Sequence, residues 1–238
     1  MDNAVYTSLN RQSGLMREMQ AVANNITNLS TAGFRREGVI FAEHVAALGQ
    51  DEPSLSMATA EGRMIDLSQG VLQQTGGTFD LAIEGGGFFM VATPDGNQLT
   101  RAGAFTRSPE GELVTADGFR LLDGGGGPIS VPADAGNIVV AQDGTLSADG
   151  QPLAQVGLFA PEDPGDLIHV GGTRFQTRRE PLPMEEGTIF QGFLEGSNVN
   201  AVAEITRMIE VQRAYEMGQG FLDAEDGRIR SVTQTLGR

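Results

Sequence analysis

The side chains that most often carry out chemistry are sparse in this sequence and form no recognisable catalytic set. The two histidines, His44 and His169, have no histidine partner at the spacing of a metal site. The carboxylate pair Glu185 and Glu186 could exchange protons with a substrate, but among 31 acidic residues such neighbours arise by chance. No G-x-S-x-G motif marks a nucleophilic serine. We therefore expect no enzyme, no metal and no cofactor.

Missing residue types exclude further chemistry. The absence of cysteine excludes disulfides, thiol catalysis and thiolate zinc sites. Every cation is arginine, so there is no Schiff-base lysine and no P-loop lysine. Glycine runs at 85–87 and 124–127 do not give G-x-G-x-x-G between a strand and a helix, and the Asp-Gly pairs lack the calcium-loop pattern. We interpret both features as turns.

A cluster of amide side chains is more informative. The stretch 23–34 carries Asn24, Asn25 and Asn28 within five positions, and it has no charge. An amide offers four hydrogen-bonding sites without the cost of burying a charge, so these residues could bond to neighbouring helices inside an assembly. The alternative is that they only end a helix, because asparagine competes for backbone hydrogen bonds.

A long amphipathic helix at the N-terminus must carry these asparagines. Asp2 or Asn3 can cap its start, and Gly33 is its predicted stop. Apolar residues recur at alternating steps of four and three, which is a heptad pattern. The main row, which has Gln12 in its one polar position, is Val5, Leu9, Met16, Met19, Ala23 and Ile26. A parallel row, spaced by seven residues, is Leu15, Val22 and Leu29.

A second helix of about 35 residues is predicted at the C-terminus, and this length is unusual without a partner. Ser197, Asn198 and Asn200 offer capping side chains before it. The two helices could form a hairpin that is sealed on itself. We favour the alternative that other subunits add burial and that the helices fold on assembly. Two apolar rows bury little surface compared with the entropy cost of ordering two helices of this length. The C-terminal row is Ala201, Met208, Tyr215, Leu222, Ile229 and Leu236.

Between the helices the sequence changes to short apolar clusters separated by Asp-Gly pairs, which are a strong hairpin signal. We predict an α+β fold, in which an antiparallel all-β domain is inserted between paired, coiled-coil-like terminal helices. The expected divisions are a helical assembly domain at 1–35 with 198–238, extended segments at 36–78 with 177–197, and a β-rich outer domain at 79–176.

The charge balance limits the partners and the location. A net charge of −15 disfavours nucleic acid and anionic membrane surfaces. No apolar run approaches the roughly 18 residues that span a bilayer, and the N-terminus lacks the pattern of a secretory signal. The sequence therefore indicates either the cytoplasm or export without a cleaved signal peptide.

Motifs at both ends and in the centre resemble the bacterial flagellar rod and hook axial proteins. Residues 23–35 are similar to the N-terminal signature of that family, with Thr27 in place of the usual Ala and Arg35 in place of the commoner Lys. Leu194–Val199 and Met208–Glu216 resemble its C-terminal signatures. The central resemblance is carried by residues 80–85, 87–89 and 100–105.

The resemblance implies a structural subunit of the flagellar basal-body rod, the axial tube that transmits motor torque. Such proteins are exported unfolded by the flagellar type III apparatus, without signal cleavage, and polymerise in the periplasmic space. Their terminal helices pack as inner layers around a central channel, and the β-domain forms an outer layer. The expected partners are other rod proteins and further copies of this chain. Residues 1–7 are similar to the opening of proximal-rod members, and a distal-rod member is the alternative.

The expected assembly interface follows the terminal signatures. A candidate from another class is a soluble ligand-binding β-protein with a dimerising coiled coil, which would need a concave aromatic surface. The lack of tryptophan and the presence of only two tyrosines give this candidate little support. The interface residues are Asn24, Asn25, Asn28, Thr31, Gly33, Phe34, Glu195, Gly196, Ser197, Asn198, Met208, Ile209, Gln212, Arg213, Tyr215 and Glu216.

Overall fold

The computed structural model describes residues 2–46, 55–184 and 187–236. Within them the chain forms helix α1 (Asp2–Thr27), helix α2 (Ala201–Leu236), one 3₁₀ turn (Pro164–Asp166) and eighteen strands. The strands are β1 Glu37–Ala46, β2 Leu55–Ile65, β3 Leu72–Gln74, β4 Leu81–Glu84, β5 Phe89–Thr93, β6 Gly96–Thr100, β7 Thr106–Arg107, β8 Leu113–Val114, β9 Arg120–Leu121, β10 Ile138–Val140, β11 Thr145–Ala148, β12 Gln151–Gln155, β13 Phe159–Ala160, β14 Leu167–Gly171, β15 Arg174–Thr177, β16 Leu182–Pro183, β17 Thr188–Gln191 and β18 Phe193–Glu195.

The chain divides into two compact units, each built from separate stretches of sequence. The helical unit comprises 1–27, 37–66 and 200–238, and the β unit comprises 28–36 and 67–199. All strand pairings among the described residues are antiparallel. The predicted α+β class with an antiparallel β domain is therefore confirmed.

In the helical unit, α1 and α2 run antiparallel and touch through polar side chains. The Gln12 amide donates to the backbone oxygen of Tyr215 at 3.0 Å, and Arg207 Nε donates to Glu18 Oε1 at 2.6 Å. At the start of α2, Asn200 Oδ1 accepts from the Ala203 N–H at 3.1 Å, which confirms Asn200 as a cap. The structure shows helices in contact, and coiled-coil geometry stays a prediction.

The buried face of α1 is the parallel row of the sequence pattern rather than the main row. Leu15 and Val22 are buried, whereas Leu9 and Met16 of the main row are 49% and 43% exposed. The helix ends at Thr27, inside the asparagine-rich stretch and six residues before Gly33. The expected end near the asparagine-rich stretch is confirmed. Gly33 itself is not the stop, because the chain leaves the helical conformation before reaching it.

Two segments that were expected to be extended connections form strands. β1 pairs with β2 from Glu37 opposite Ile65 onward, with a register shift between Ile40 and Phe41, and this hairpin belongs to the helical unit. In the return segment, β17 pairs with β4 and β18 pairs with β3. The chain therefore closes the β unit with strands that come from far along the sequence.

The β unit is organised around a seven-stranded sheet in the order β14-β15-β6-β5-β9-β8-β7. A two-residue hairpin turn connects β11 to β12, and its residues Asp149 and Gly150 both have positive φ, 53° and 79°. The Asp149 carboxylate accepts the backbone N–H groups of Asn137 and Gly136, and these bonds lower its pKa. The buried core comprises Leu81, Ile83, Phe89, Val91, Phe105, Leu113, Leu121, Ile129, Val131, Val140, Leu146, Val156, Leu158 and Ile189.

The core leaves no room for a side chain at Gly103, which follows β6. The Leu81 N–H donates to the Gly103 oxygen at 2.9 Å, and a Cβ on Gly103 would collide with the backbone oxygen of Leu81. Because the colliding atom is backbone, relief would require the strand to move.

We predict that Gly103→Ala destabilises the chain by about 2 kcal/mol or more, in the range of overpacked cores. The matched control is Gly124→Ala, where a Cβ would meet nothing within 4 Å. The free energy of unfolding of both variants can be measured by urea titration with circular dichroism. Equal stability of the two variants would contradict the predicted collision.

Candidate functional site

The β unit contains a fully buried carboxylate, Glu195, held between two arginines. Glu195 Oε1 accepts from Arg35 Nη1 at 2.7 Å and from the backbone N–H of Gly70 at 2.8 Å, and its Oε2 accepts from Arg101 Nη1 at 3.0 Å. Arg35 and Arg101 are only 1% and 3% exposed. We call Arg35, Arg101 and Glu195 the Glu195 cluster.

The elements around the Glu195 cluster position each of its side chains. Glu195 ends β18, opposite Leu72 of β3, and Arg101 directly follows β6. Arg101 Nη2 also donates to the Gly85 oxygen at 2.6 Å, and its guanidinium lies 5.4 Å from the Phe88 ring centroid. The ring contact and the hydrogen bonds from both Nη atoms hold the Arg101 guanidinium in place against the carboxylate.

Two arginines facing one glutamate leave the Glu195 cluster with a net positive charge in a buried site. Burial lowers the pKa of Arg101 to about 10, and the repulsion of Arg35 adds to this effect, whereas Glu195 raises the pKa. Arg101 therefore stays cationic at neutral pH. Among the described residues, Arg35 Nε and Nη2 and Arg101 Nε have no hydrogen-bond acceptor. Glu195 pairs with both arginines and supplies their counter-charge.

The Glu195 cluster joins the two terminal signatures, which are 160 residues apart. The Gly33 N–H donates to the Glu195 backbone oxygen at 2.7 Å, and the Arg36 N–H donates to Asn198 Oδ1 at 2.7 Å. Gly33 has φ +74°, and a Cβ there would collide with the backbone nitrogen of Ala102. Phe34 is fully buried, and its ring centroid lies 6.1 Å from the ring centroid of His169.

Asn25 forms a second buried polar site, in the helical unit. Its Nδ2 donates to the Glu37 backbone oxygen at 2.8 Å and to Glu204 Oε2 at 3.0 Å, and its Oδ1 accepts the Glu37 N–H at 2.9 Å. One amide thus pairs with the first residue of β1 and with α2. The hydrogen-bonding groups of this fully buried side chain are used within one chain.

The remaining residues of the predicted assembly interface lie nearer the surface. Asn24, Asn28 and Thr31 are half-buried, and Thr31 Oγ1 donates to Asn28 Oδ1 at 3.1 Å. Gly196 and Ser197 are half-buried beside the Glu195 cluster. On α2, Met208 and Tyr215 are half-buried, whereas the side chains exposed to solvent are Ile209, Gln212, Arg213 and Glu216.

Sequence reasoning missed Arg35, Arg101, Glu37 and Glu204 as site residues. A signal for Arg101 was present, because it is the only charge in residues 96–106. A lone charge in an uncharged, partly apolar stretch is more often buried and paired than a charge among other charges. Glu37 and Glu204 had no comparable signal.

The described residues form clefts but no cluster of metal-binding side chains. They contain no group of three or more His, Cys, Asp or Glu side chains that could hold a metal ion. A cleft of about 590 Å³ in the β unit is lined by Arg178, Arg179 and Gly124–Gly126 among others, and Phe159 is its one aromatic residue. Neither described helix has an apolar stretch that could cross a membrane.

Comparison with known proteins gives matches along the whole chain. Residues 82–148 match the flagellar hook protein FlgE/F/G D1 domain, and residues 191–235 match the flagellar basal body rod FlgEFG protein C-terminal family. The chain is similar to the flagellar basal-body rod protein FlgF of Caulobacter vibrioides, with 40% identity covering 100% of this chain and 99% of the relative. FlgF of Mesorhizobium japonicum is 35% identical over the same shares, and FlgG of Bacillus subtilis is 29% identical over 98% of each chain.

We predict that Glu195→Gln lowers the free energy of unfolding by about 3–5 kcal/mol, because it leaves two buried arginines without a counter-charge. The matched control is Glu162→Gln, which removes the same charge from an exposed pair with Arg179 and should leave the urea midpoint close to that of the parent chain. Urea titration of the full chain tests both. A Glu195→Gln midpoint equal to that of the control would show that the cluster contributes little.

Proposed function

Because this chain belongs to the family of flagellar basal-body rod proteins, we propose that it acts as a proximal-rod subunit that polymerises through its terminal helices. The chain is a structural flagellar rod protein, and the observation that carries this conclusion is 40% identity over its full length to a FlgF relative. A structural role also agrees with the sequence, which offers no catalytic set.

The proximal position is favoured over the distal one by the pattern of similarity. Three FlgF relatives are 33–40% identical over the whole chain. The FlgG relatives reach 29–32% identity over 90–98% of it. The similarity of residues 1–7 to proximal-rod members supports the same assignment, and the distal rod is the alternative.

Assembly through the helices is supported by how little apolar surface the helical unit buries. Among its described side chains, the buried hydrophobic ones are Leu15, Ala21, Val22 and Val211. Gln12, Glu18, Asn25, Glu37 and Glu204 are buried beside them. For two helices of 26 and 36 residues these described side chains bury little apolar surface, and neighbouring subunits would add to that burial.

The export route and the location belong to the same proposal. The chain leaves the cell interior unfolded through the flagellar type III apparatus, without signal cleavage, and it joins the rod in the periplasmic space. There it contacts other rod proteins and its own copies and passes motor torque outward. A rod under torque needs a stiff element in each subunit, and the dense core of the β unit is suited to that requirement.

We expect deletion of the gene to abolish motility and to stop rod growth, because no other subunit provides this layer of the tube. Electron microscopy of isolated basal bodies and a swimming assay measure the two effects, with the full chain supplied in trans as the control. A deletion strain that builds complete, motile flagella would contradict the proposed role in the rod.

The level in the rod is tested in a strain that lacks the FlgG distal-rod protein. If the chain is a proximal subunit, basal bodies from that strain still contain it, because proximal subunits join first. Mass spectrometry of the purified particles gives the result. Loss of the chain together with FlgG would favour the distal assignment instead.

We also predict that the helices gain order on assembly. Far-UV circular dichroism of the dilute monomer should report fewer helical residues than the 62 in α1 and α2 together, and the polymer should report more. Asn25→Ala, which removes the bridge between α1, β1 and α2, should lower the monomer signal further. A monomer with all of these residues stably helical would contradict folding on assembly.

A further inference from the structure

One edge of the Arg35 guanidinium is buried and has no hydrogen-bond acceptor in the described chain. Its Nη1 donates to Glu195 Oε1 at 2.7 Å and to the Ser68 backbone oxygen at 2.9 Å. Nε and Nη2 lie side by side in the planar guanidinium, so their N–H bonds point the same way, and neither meets an acceptor among the described residues. We call this pair of donors the Arg35 edge.

The carboxylate of the Glu195 cluster cannot serve the Arg35 edge as well. Glu195 Oε1 also accepts the backbone N–H of Gly70 at 2.8 Å, and Oε2 accepts Arg101 Nη1 at 3.0 Å. Turning the carboxylate towards the Arg35 edge would break these bonds. Within the described chain Glu195 is the only ion-pair partner of Arg35. Because buried donors are nearly always satisfied in proteins, two neighbouring donors without an acceptor point to a bound group.

The charge of the Glu195 cluster indicates the kind of group that fits. Two guanidinium groups share one carboxylate, so one positive charge in this buried site has no counter-charge. Burial and the repulsion of Arg35 lower the pKa of Arg101 to about 10, and Arg101 is still cationic at neutral pH. A water molecule could accept hydrogen bonds from the Arg35 edge, but it would leave this charge uncompensated. An anion would satisfy the donors and the charge together.

Burial limits the size of the anion. Arg35 is 1% exposed, so the carboxylate of another chain cannot reach the Arg35 edge from the surface. A phosphate or a sulfate would need several times the space of one water molecule, and protein interiors contain few gaps of that size. A halide ion carries the required charge on a single atom and can accept both parallel N–H bonds.

We propose that the Arg35 edge binds one small monovalent anion of the halide class, with chloride as the natural ligand. The anion would complete the Glu195 cluster by adding a second negative charge to it. Binding to the folded chain alone would stabilise the β unit in proportion to the chloride concentration. This site lies within one chain, and it does not depend on the proposed rod function.

The urea midpoint of the full chain at pH 7, measured as chloride replaces gluconate at constant ionic strength, tests the proposal. The midpoint of the parent chain should rise with chloride. Arg35→Lys should lose this rise, because an ammonium keeps the charge but lacks the two parallel donors. Lysine is also the commoner residue at this position of the signature that residues 23–35 resemble. The matched control is Arg179→Lys, which alters an exposed arginine and should keep the rise of the parent.

Crystals of the full chain grown in bromide give a direct readout. An anomalous peak within hydrogen-bond distance of Arg35 Nε and Nη2 is expected. A water molecule there without anomalous signal would overturn the proposal, as would a chloride response of Arg35→Lys equal to that of the parent. If Arg35→Lys shows no cooperative urea transition, the bromide crystals of the parent decide the question. The gene deletion tests the rod function separately, so either proposal can fail without the other.

Discussion

A carboxylate that is removed completely from water must be paired with positive charge, and this requirement at Glu195 determines how the β unit closes. Its partners come from three separate stretches, around residues 35, 70 and 101. Removing Glu195 would leave two buried arginines without their counter-charge, and the cost of an unpaired buried charge exceeds that of most lost contacts. The segments that follow α1 and precede α2 are therefore tied to one point. The terminal signatures meet there, which explains why Gly33 must lack a side chain.

The helical unit solves the problem of buried polarity in a different way. Asn25 satisfies a backbone N–H, a backbone oxygen and a carboxylate with one neutral side chain. A charged residue in its place would donate or accept but could not do both, and it would add a desolvation cost. Among the described side chains of this unit, the buried polar ones are at least as numerous as the buried apolar ones. Hydrogen bonds contribute modest net stability, which agrees with the proposal that neighbouring subunits add burial to this unit.

The sequence predicted the features that have a local or periodic signature. Both helices, the antiparallel β domain, the Asn200 cap and the Asp149–Gly150 hairpin follow from spacing and residue type. Three features were not predictable in this way. The heptad pattern in α1 has two rows, and only tertiary contacts decide that Leu15 and Val22 are the buried pair. The Glu195 cluster joins residues up to 160 positions apart, and no periodicity reports such a pairing. The strands β17 and β18 were missed for the same reason, since their partners β4 and β3 lie more than 100 residues earlier.

The two units differ in where the burial that stabilises them comes from, and this difference bears on assembly. The β unit has a contiguous apolar core and an internally paired charge cluster, so it can reach its stable form within one chain. The described side chains of the helical unit include several buried polar groups, and both of its long helices carry exposed apolar residues. If the helices were already well covered in the monomer, subunits would gain little by joining; if the β unit were equally incomplete, the free chain would expose a large aggregation-prone surface. Under the proposed function, a chain that keeps the β unit self-sufficient and leaves the helical unit to be completed by neighbouring subunits avoids both problems.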